Sequence, residues 1–247
     1  MKKIIALILA VMMVMSLAAC GSASSGEELV MGTNAAFPPY EFYDEDGETI
    51  IGIDAEIAQA VADKLGMTLT IKDMEFDSLL TAVQSGAVDI VFAGLTVTDE
   101  RKESVDFSVT YATGIQVIIV PQDSDIASVD DLSGKVIGVQ AGTTGDIYCT
   151  DEFGQDSVKQ FTNGALAVAA LANGQVDCVV IDNEPAKSFV EANDGLKILE
   201  TEYAVEDYAA AISKDNAELT EKVNAAMEEL KADGTIDTII AKYINAD

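Results

Sequence analysis

From residue 29 onward the chain alternates short apolar runs with amphipathic stretches. Leu29 to Asn34 reads as a strand ending in Gly32-Thr33-Asn34. Phe37-Pro38-Pro39-Tyr40-Glu41-Phe42 is rigid, aromatic and non-helical, and Tyr43 to Glu48 is an acidic turn around Asp46-Gly47. Asp54 is placed to cap a helix that puts Ile57, Ala58, Val61 and Leu65 on one face and stops at Gly66. Met67, Leu69 and Ile71 alternate as in a strand, Asp77 is placed to cap a helix stopped at Gly86, and Val88 to Phe92 is an apolar run of strand length. This β-α-β-α-β order predicts a mainly parallel sheet with helices on its faces.

A second series follows. Ile115 to Val120 reads as a strand, Pro121 to Asp125 as a loop, and Val136 to Val139 as a strand. The turn Ala141-Gly142-Thr143-Thr144 leads into a helix over 145–153. Val158 to Phe161 is a short strand, and Asn163 caps a helix ending at Gly174. Val176 to Ile181 is a strand, and Asp182-Asn183-Glu184-Pro185 opens another helix. Tyr208 to Ser213 reads as a strand, with helices over 217–232 and 236–244 around Asp233-Gly234. The two series echo each other at constant spacing: Gly86 and Gly174, Val88 and Val176, Asp89 and Asp177, Val91 and Val179. An internal repeat and convergence of helix–glycine–strand junctions both account for that match. In the same register Gly94 falls opposite Asp182.

The N-terminus is of a different kind. Lys2 and Lys3 precede an unbroken apolar run from Ile4 to Met15, too short to span a membrane comfortably. Leu17-Ala18-Ala19-Cys20-Gly21 follows, resembling a lipoprotein signal in which cleavage precedes a cysteine that carries lipid; an ordinary secretory signal is the alternative. The reading is a signal peptide over 1–19, with a tether over 20–26 that is lipidated at Cys20.

The chain of 247 residues carries 43 acidic and 14 basic residues, a formal charge of −29, which excludes nucleic acid as a natural partner. It has no histidine, so the commonest general base and metal ligand is missing; no cofactor and no metal site is expected. Cys149 and Cys178 lack metal-ligand spacing and are expected as two buried free thiols, with a disulfide as the alternative.

Candidate chemistry lies at two strand ends. Ala93 to Arg101 follows one apolar run, and arginine is built to grip a carboxylate with paired hydrogen bonds. Asp182 ends the counterpart strand and suits an ammonium. Arg101 has a structural reading too, and Asp182 and Thr98 have readings as helix caps; a cation and an anion at equivalent strand ends together suit a zwitterion. The free N–H groups of the Gly142-Thr143-Thr144 turn would add to a carboxylate site, with Thr96 offering a hydroxyl and Ala93 and Gly94 their carbonyls.

These stretches resemble the family 3 solute-binding proteins, the polar amino-acid receptors of ABC import systems. The resemblance rests on Gly32-Thr33-Asn34 with Phe37 to Phe42, Gly52-Ile53-Asp54, Phe76-Asp77, Ala93 to Arg101 with Val105-Asp106-Phe107-Ser108, Leu132-Ser133-Gly134-Lys135, Val139 to Thr144, and Val176 to Asp182. It implies an α/β, two-lobed periplasmic-binding-protein-like fold with two hinge strands and the ligand in the interlobe cleft. The implied lobes are residues 27–112 plus 208–247, and 113–207. Carried over by motif, Arg101 holds an α-carboxylate with help from Thr96 and Thr144, Asp182 and the Gly94 carbonyl hold an α-ammonium, and Phe37 and Phe76 sandwich the side chain. Asn34, Gln140 and Glu41 are candidates for the side-chain end, with a solvent-facing Glu41 as the alternative. The implied function is a monomeric, non-enzymatic receptor, lipid-anchored to the outer face of the cell membrane. It would bind a polar L-amino acid, glutamine-like by preference, and deliver it to an ABC permease. Cystine, arginine and glutamate stay open as ligands. A cyclohexadienyl dehydratase-like enzyme on the same fold and an amino-acid-sensing lipoprotein are the rival functions.

Overall fold

The computed structural model describes residues 27–199 and 202–244. The expected signal peptide over 1–19 and the whole tether over 20–26, Cys20 included, lie outside the described residues. Among the described residues no helix is long and apolar enough to cross a membrane.

Two sheets organise the chain. In the first, β1 (Glu28–Thr33) opens the chain, and β2 (Ala36–Phe37), β3 (Glu41–Tyr43) and β4 (Ile50–Ile51) form a small antiparallel ribbon beside it. β1 runs parallel to both β5 (Thr68–Asp73) and β6 (Ile90–Val91). On the far side of β6 the sheet turns antiparallel, because its last neighbours are β7 (Val105–Phe107) and a strand returning from the C-terminal half. The second sheet is built on β8 (Ala112–Pro121) and β9 (Ile137–Gln140). β9 lies parallel between β10 (Val158–Phe161) and β11 (Cys178–Asp182), while β8 is antiparallel to β11, β12 (Leu196–Ile198) and β13 (Ala204–Tyr208). β14 (Ala211–Ser213) is the strand that returns to the first sheet.

Helix α1 (Ile53–Leu65) covers the first sheet and packs against the C-terminal pair α7 (Ala217–Ala232) and α8 (Thr235–Tyr243). The short helices α2 (Leu79–Gln84) and α3 (Asp99–Ser104) follow β5 and β6, and α4 (Thr144–Phe153), α5 (Gly164–Ala172) and α6 (Asn183–Glu191) dress the second sheet. Leu29, Met31, Ile57, Val61, Ile90 and Met227 pack in the largest core cluster, and Ile118, Val120, Ile137, Val139 and Val180 pack in a separate cluster of the second sheet.

The echo between the two series is a shared geometry. Gly86 and Gly174 both adopt left-handed φ, +73° and +67°, just past their helices. Asp89 and Val30 exchange two hydrogen bonds: the Asp89 carboxylate accepts the Val30 N–H at 2.8 Å, and the Asp89 N–H donates to the Val30 carbonyl at 2.8 Å. Asp177 and Val136 do the same at 2.7 and 2.8 Å. Each aspartate thus pins the entry of its strand to the start of the neighbouring one, which sets register in both sheets.

Several sequence expectations change. The sheets are mixed rather than mainly parallel, because β8 and β14 come from crossings between sheets. The strand expected over 208–213 is two strands in different sheets, with buried Ala209 and Ala210 between them. The two crossings lie side by side, Ala112 pairing with Tyr208. Regular pairing in the run expected over 88–92 covers only Ile90–Val91. Neither Asp54 nor Asp77 is a side-chain cap: Gly52 and Ser78 hold the N-cap positions. Gly52 sits at φ +125°, where a Cβ would lie 2.2 Å from the Tyr40 carbonyl oxygen, so the chain needs glycine there and Asp54 falls inside the helix.

Cys149 and Cys178 are free and fully buried in the second core cluster, and burial pushes both thiols up to about 12. Both are therefore expected to be inert to a thiol reagent in the folded protein and to react together in denaturant. Mass spectrometry of labelled protein checks this, and fast labelling of either cysteine under native conditions contradicts it.

Candidate functional site

The C-terminal ends of equivalent strands in the two sheets point at each other, and one cavity lies between them. Asn34, Phe37, Phe76, Ala93, Gly94, Thr96, Arg101, Gln140, Thr144 and Asp182 all line it, together with Glu41 and Thr143. The structure therefore brings every sequence-selected residue of the cleft to a single place.

Arg101 is set by the start of α3. Thr98 is the N-cap, its hydroxyl accepting the Arg101 N–H at 3.1 Å. The guanidinium is 6% exposed, donates from Nη1 to the Thr96 carbonyl at 2.8 Å and from Nη2 to the Gly142 carbonyl at 3.1 Å. It lies 5.7 Å from the centre of the Phe76 ring. A guanidinium carries five N–H donors, so donors remain for an anion in the cavity. Burial lowers its pKa, and the Glu206 and Asp182 carboxylates oppose that shift. Facing it, Thr143 caps α4 by accepting the Asp146 N–H, and the first-turn N–H groups of Thr144 and Gly145 have no helical partner. Gly142 has φ +76° and a Cβ there would lie 3.0 Å from the Cβ of Asp77, so the turn closes directly onto the first-sheet side.

At the opposite end Asp182 terminates β11. It occupies the N-cap position of α6, yet its side chain makes no cap hydrogen bond. The carboxylate instead accepts the hydroxyl of Tyr208. Gly94 has φ +52°, and a Cβ there would lie 2.7 Å from the Phe37 ring; no other residue fits the contact. The Gly94 N–H donates to Asp54 at 2.7 Å, and Tyr111 donates to the same Asp54 oxygen at 2.8 Å. Asp54 is thus the buried anchor of the Gly94 turn, a role invisible while it was read as a helix cap.

The third wall is polar. Gln140 Nε2 donates to Asn34 Oδ1 at 2.9 Å across the cleft, and Asn34 Nδ2 donates to the Met74 carbonyl at 2.9 Å. Phe37 is buried against Gly94 and stacks on Tyr40, with centroids 5.8 Å apart. Glu41 corrects the solvent-facing alternative: it is 0% exposed, lines the cavity, receives no N–H or hydroxyl donor, and its carboxyl pairs with that of Asp54. Sequence reasoning passed over Asp54, Tyr111, Gln116, Glu206 and Tyr208, the residues that hold the lining ones. A signal existed for two of them, since Glu206 and Tyr208 alternate on a strand that leads back across the cleft.

Burial pushes Asp54 and Asp182 each up to about 7. It pushes Glu41 well above the usual carboxylate range, with the Asp54 charge adding to the shift. In the unfolded chain these groups ionise near about pH 4. Between there and about pH 7 the folded state keeps protons that the unfolded state has lost, so stability falls as pH rises. The carboxylates shifted downward, such as Asp46 and Asp131, act oppositely but only as pH drops below the usual carboxylate range. The melting temperature without ligand is expected to fall from about pH 5 to about pH 8. A steady rise over that range, read by calorimetry, contradicts the buried-carboxyl account.

The comparisons with known proteins fit this geometry. Residues 29–246 match the family model for bacterial extracellular solute-binding proteins, family 3. The arginine-binding extracellular protein ArtP of Bacillus subtilis (strain 168) is 34% identical, the alignment covering 100% of both chains. The ABC transporter arginine-binding protein 1 of Escherichia coli (strain K12) is 30% identical over 88% of this chain and 90% of its own. Among solved structures, an ancestral arginine-binding protein bound to glutamine superposes with a TM-score of 0.84 at 43% identity, covering 89% of this chain and 98% of that one. A match over nearly the whole folded length, on a two-lobed architecture with its cleft at the strand ends, leaves one conclusion: the chain belongs to the bacterial extracellular solute-binding proteins, family 3.

Proposed function

We propose that this protein captures an L-amino acid with a cationic side chain, arginine-like, between its lobes and delivers it to an ABC permease. The carrying observation is the charge count of one cavity: Arg101 at one end, Asp182 at the other, and a buried Glu41 carboxyl that receives no N–H or hydroxyl donor. An α-carboxylate answers Arg101 and an α-ammonium answers Asp182. A cationic side chain then answers the buried Glu41–Asp54 carboxyl pair, favouring release of the proton that burial makes Glu41 keep. Phe37 and Phe76 line the same cavity and offer ring faces to a planar guanidinium. Relatives named for arginine support this reading.

A second reading keeps the glutamine-like ligand. Glu41 is strongly biased toward its neutral form, and a protonated carboxyl beside Asn34 and Gln140 complements an uncharged amide. The relative solved with glutamine supports that reading.

In this proposal residues 27–112 plus 208–247 and residues 113–207 close as two units, hinged where β8 and β13 cross. Shifting them from mostly open to mostly closed needs about 5.5 kcal/mol of differential affinity. Hydrogen bonds to charged groups contribute about 1.5–3 kcal/mol each, so contacts at Arg101, Asp182 and Glu41 together reach that figure where exposed pairs would not. The closed form is what the permease recognises, and lipid on Cys20 keeps the receptor at the outer membrane face.

Calorimetric titration with the twenty amino acids is the direct test, and binding to none of them removes the proposal. Arg101→Ala is expected to weaken binding by about tenfold or more; unchanged affinity returns Arg101 to a structural role. Glu41→Gln is expected to cost L-arginine about tenfold while sparing L-glutamine, and equal effects on both take Glu41 out of side-chain recognition.

A further inference from the structure

Three buried carboxyl oxygens at the cavity receive no N–H or hydroxyl donor: both oxygens of Glu41 and Oδ1 of Asp54. They belong to one pair. Asp54 takes both of its donors, the Gly94 N–H and the Tyr111 hydroxyl, on Oδ2. The Glu41 carboxyl lies within hydrogen-bond reach of it. Both side chains are fully buried, and Glu41 lines the cavity. An ionised carboxylate only accepts, whereas a protonated one also donates an O–H. Two ionised carboxylates here would repel each other and leave all three oxygens unsatisfied. A proton held between Glu41 and Asp54 Oδ1 removes most of that cost.

The charges that act most strongly on Glu41 are all negative: Asp54 on α1, Asp182 at the end of β11 and Asp73 at the end of β5. Glu184 of α6 bears on the neighbouring Tyr40 in the same sense. The phenols packed around the pair, Tyr40 before β3, Tyr111 before β8 and Tyr208 at the end of β13, are held neutral by burial. Arg101 lines the same cavity, where it already donates to two carbonyls. On the amino-acid reading Arg101 meets the α-carboxylate and Asp182 the α-ammonium. Those charges cancel, so the ligand's side chain meets the charge of the Glu41–Asp54 pair.

We infer that this pair is a proton-exchanging subsite whose proton count follows the ligand's side chain: a single proton when that side chain is a cation, and two when it is an uncharged amide or urea. With a single proton the pair is an anion. The Glu41 O–H donates to Asp54 Oδ1, and the other Glu41 oxygen accepts from a ligand N–H. With the second proton the pair is neutral. Asp54 Oδ1 then donates to Glu41, whose own O–H turns to a ligand carbonyl oxygen. The second proton comes from solvent and returns to it. Burial pushes Asp54 up to about 7, which places the exchange near neutrality. This rests on the amino-acid reading above and joins its two forms: arginine-like and glutamine-like ligands address two protonation states of one site. Rising pH removes the second proton and so favours the cation.

The test uses L-arginine and L-citrulline, which differ in a guanidinium against a urea. Both present the same α-groups, so titration of Asp182 cancels in the ratio of their affinities. That ratio is expected to rise between about pH 5.5 and about pH 8, approaching tenfold per unit near about pH 7. Calorimetry in buffers of different ionisation enthalpy is expected to show arginine bound with up to about one proton fewer than citrulline. The double variant Glu41→Gln and Asp54→Asn keeps an oxygen for Gly94 and Tyr111 and copies the two-proton state at every pH. It is expected to weaken arginine by about tenfold or more, to hold citrulline within about twofold, and to give a ratio that ignores pH. A wild-type ratio that does not change with pH, or equal proton counts for the two ligands, overturns the inference. A ratio that still rises with pH in the double variant places the proton elsewhere and overturns it as well; should that variant fail to fold, the wild-type proton counts decide alone. Wild-type protein that binds arginine and takes no citrulline even at the acid end of the range also overturns it. Binding of neither ligand counts against the cationic amino-acid reading itself.

Discussion

The hydrogen bond from Tyr208 to Asp182 is the contact on which the cleft depends. Tyr208 sits at the end of β13, where the chain leaves the second sheet for the first, and it is fully buried. Its ring lies edge-on to Tyr40, 5.3 Å between centroids, and 6.5 Å from Tyr111. Its hydroxyl occupies space that only a glycine at 114 leaves open, since a Cβ there would lie 2.1 Å away. One side chain therefore packs into an aromatic cluster of the first half and holds the Asp182 carboxylate of the second. Moving Tyr208 would disturb the crossing, the turn at Gly94 and the orientation of Asp182 together.

Around that contact the protein buries more acid than base. Among the described residues Arg101 is the one basic side chain lining the cavity, against Asp182 and Glu41 in the lining and Asp54 and Glu206 behind it. Such groups are costly unless paired, and the structure handles them differently. Asp54 takes a backbone N–H and a phenol, Asp182 takes a phenol, and Glu206 takes three donors on one oxygen. Glu41 takes none. The carboxylates with donors organise the cavity, and Glu41, paired with Asp54, is the one held toward its neutral form. The charge balance of the cavity and the pH dependence of stability are thus two consequences of the same arrangement.

The pairing of equivalent strand ends explains why a cation and an anion face each other at all. Each half repeats a helix, a left-handed glycine and a strand pinned by an aspartate. Gly94 and Asp182 follow those strands, and Asn34 and Gln140 follow or end their parallel neighbours. When the halves meet, the four positions converge. The glycine leaves room for Phe37 and turns the chain toward Arg101, whereas the aspartate contributes charge directly. A shared scaffold with unlike residues at matched positions is enough to make a site with two chemically distinct ends.

Much of this was legible in the chain. The apolar runs, the glycine stops, the Asn163 and Thr98 caps and the arginine and aspartate after buried strands follow from local periodicity and residue chemistry, which act over a few positions. The ten cavity positions were readable through motifs that keep their meaning wherever the chain folds. The supporting shell was not. Asp54 looks like a cap until Gly52 is found pressed against the Tyr40 carbonyl, and Glu41 reads equally as a pocket residue or a surface acid until the fold buries it. Glu206 sits in a stretch whose hydrophobic pattern points the wrong way. Which polar groups become buried, and which donor each carboxylate receives, depends on segments a hundred residues apart being packed together. The sequence by itself determined the two α/β halves and the residue types at their strand ends; only the tertiary structure decided which carboxylates are satisfied, because hydrogen-bond partners across a cleft have no local signature.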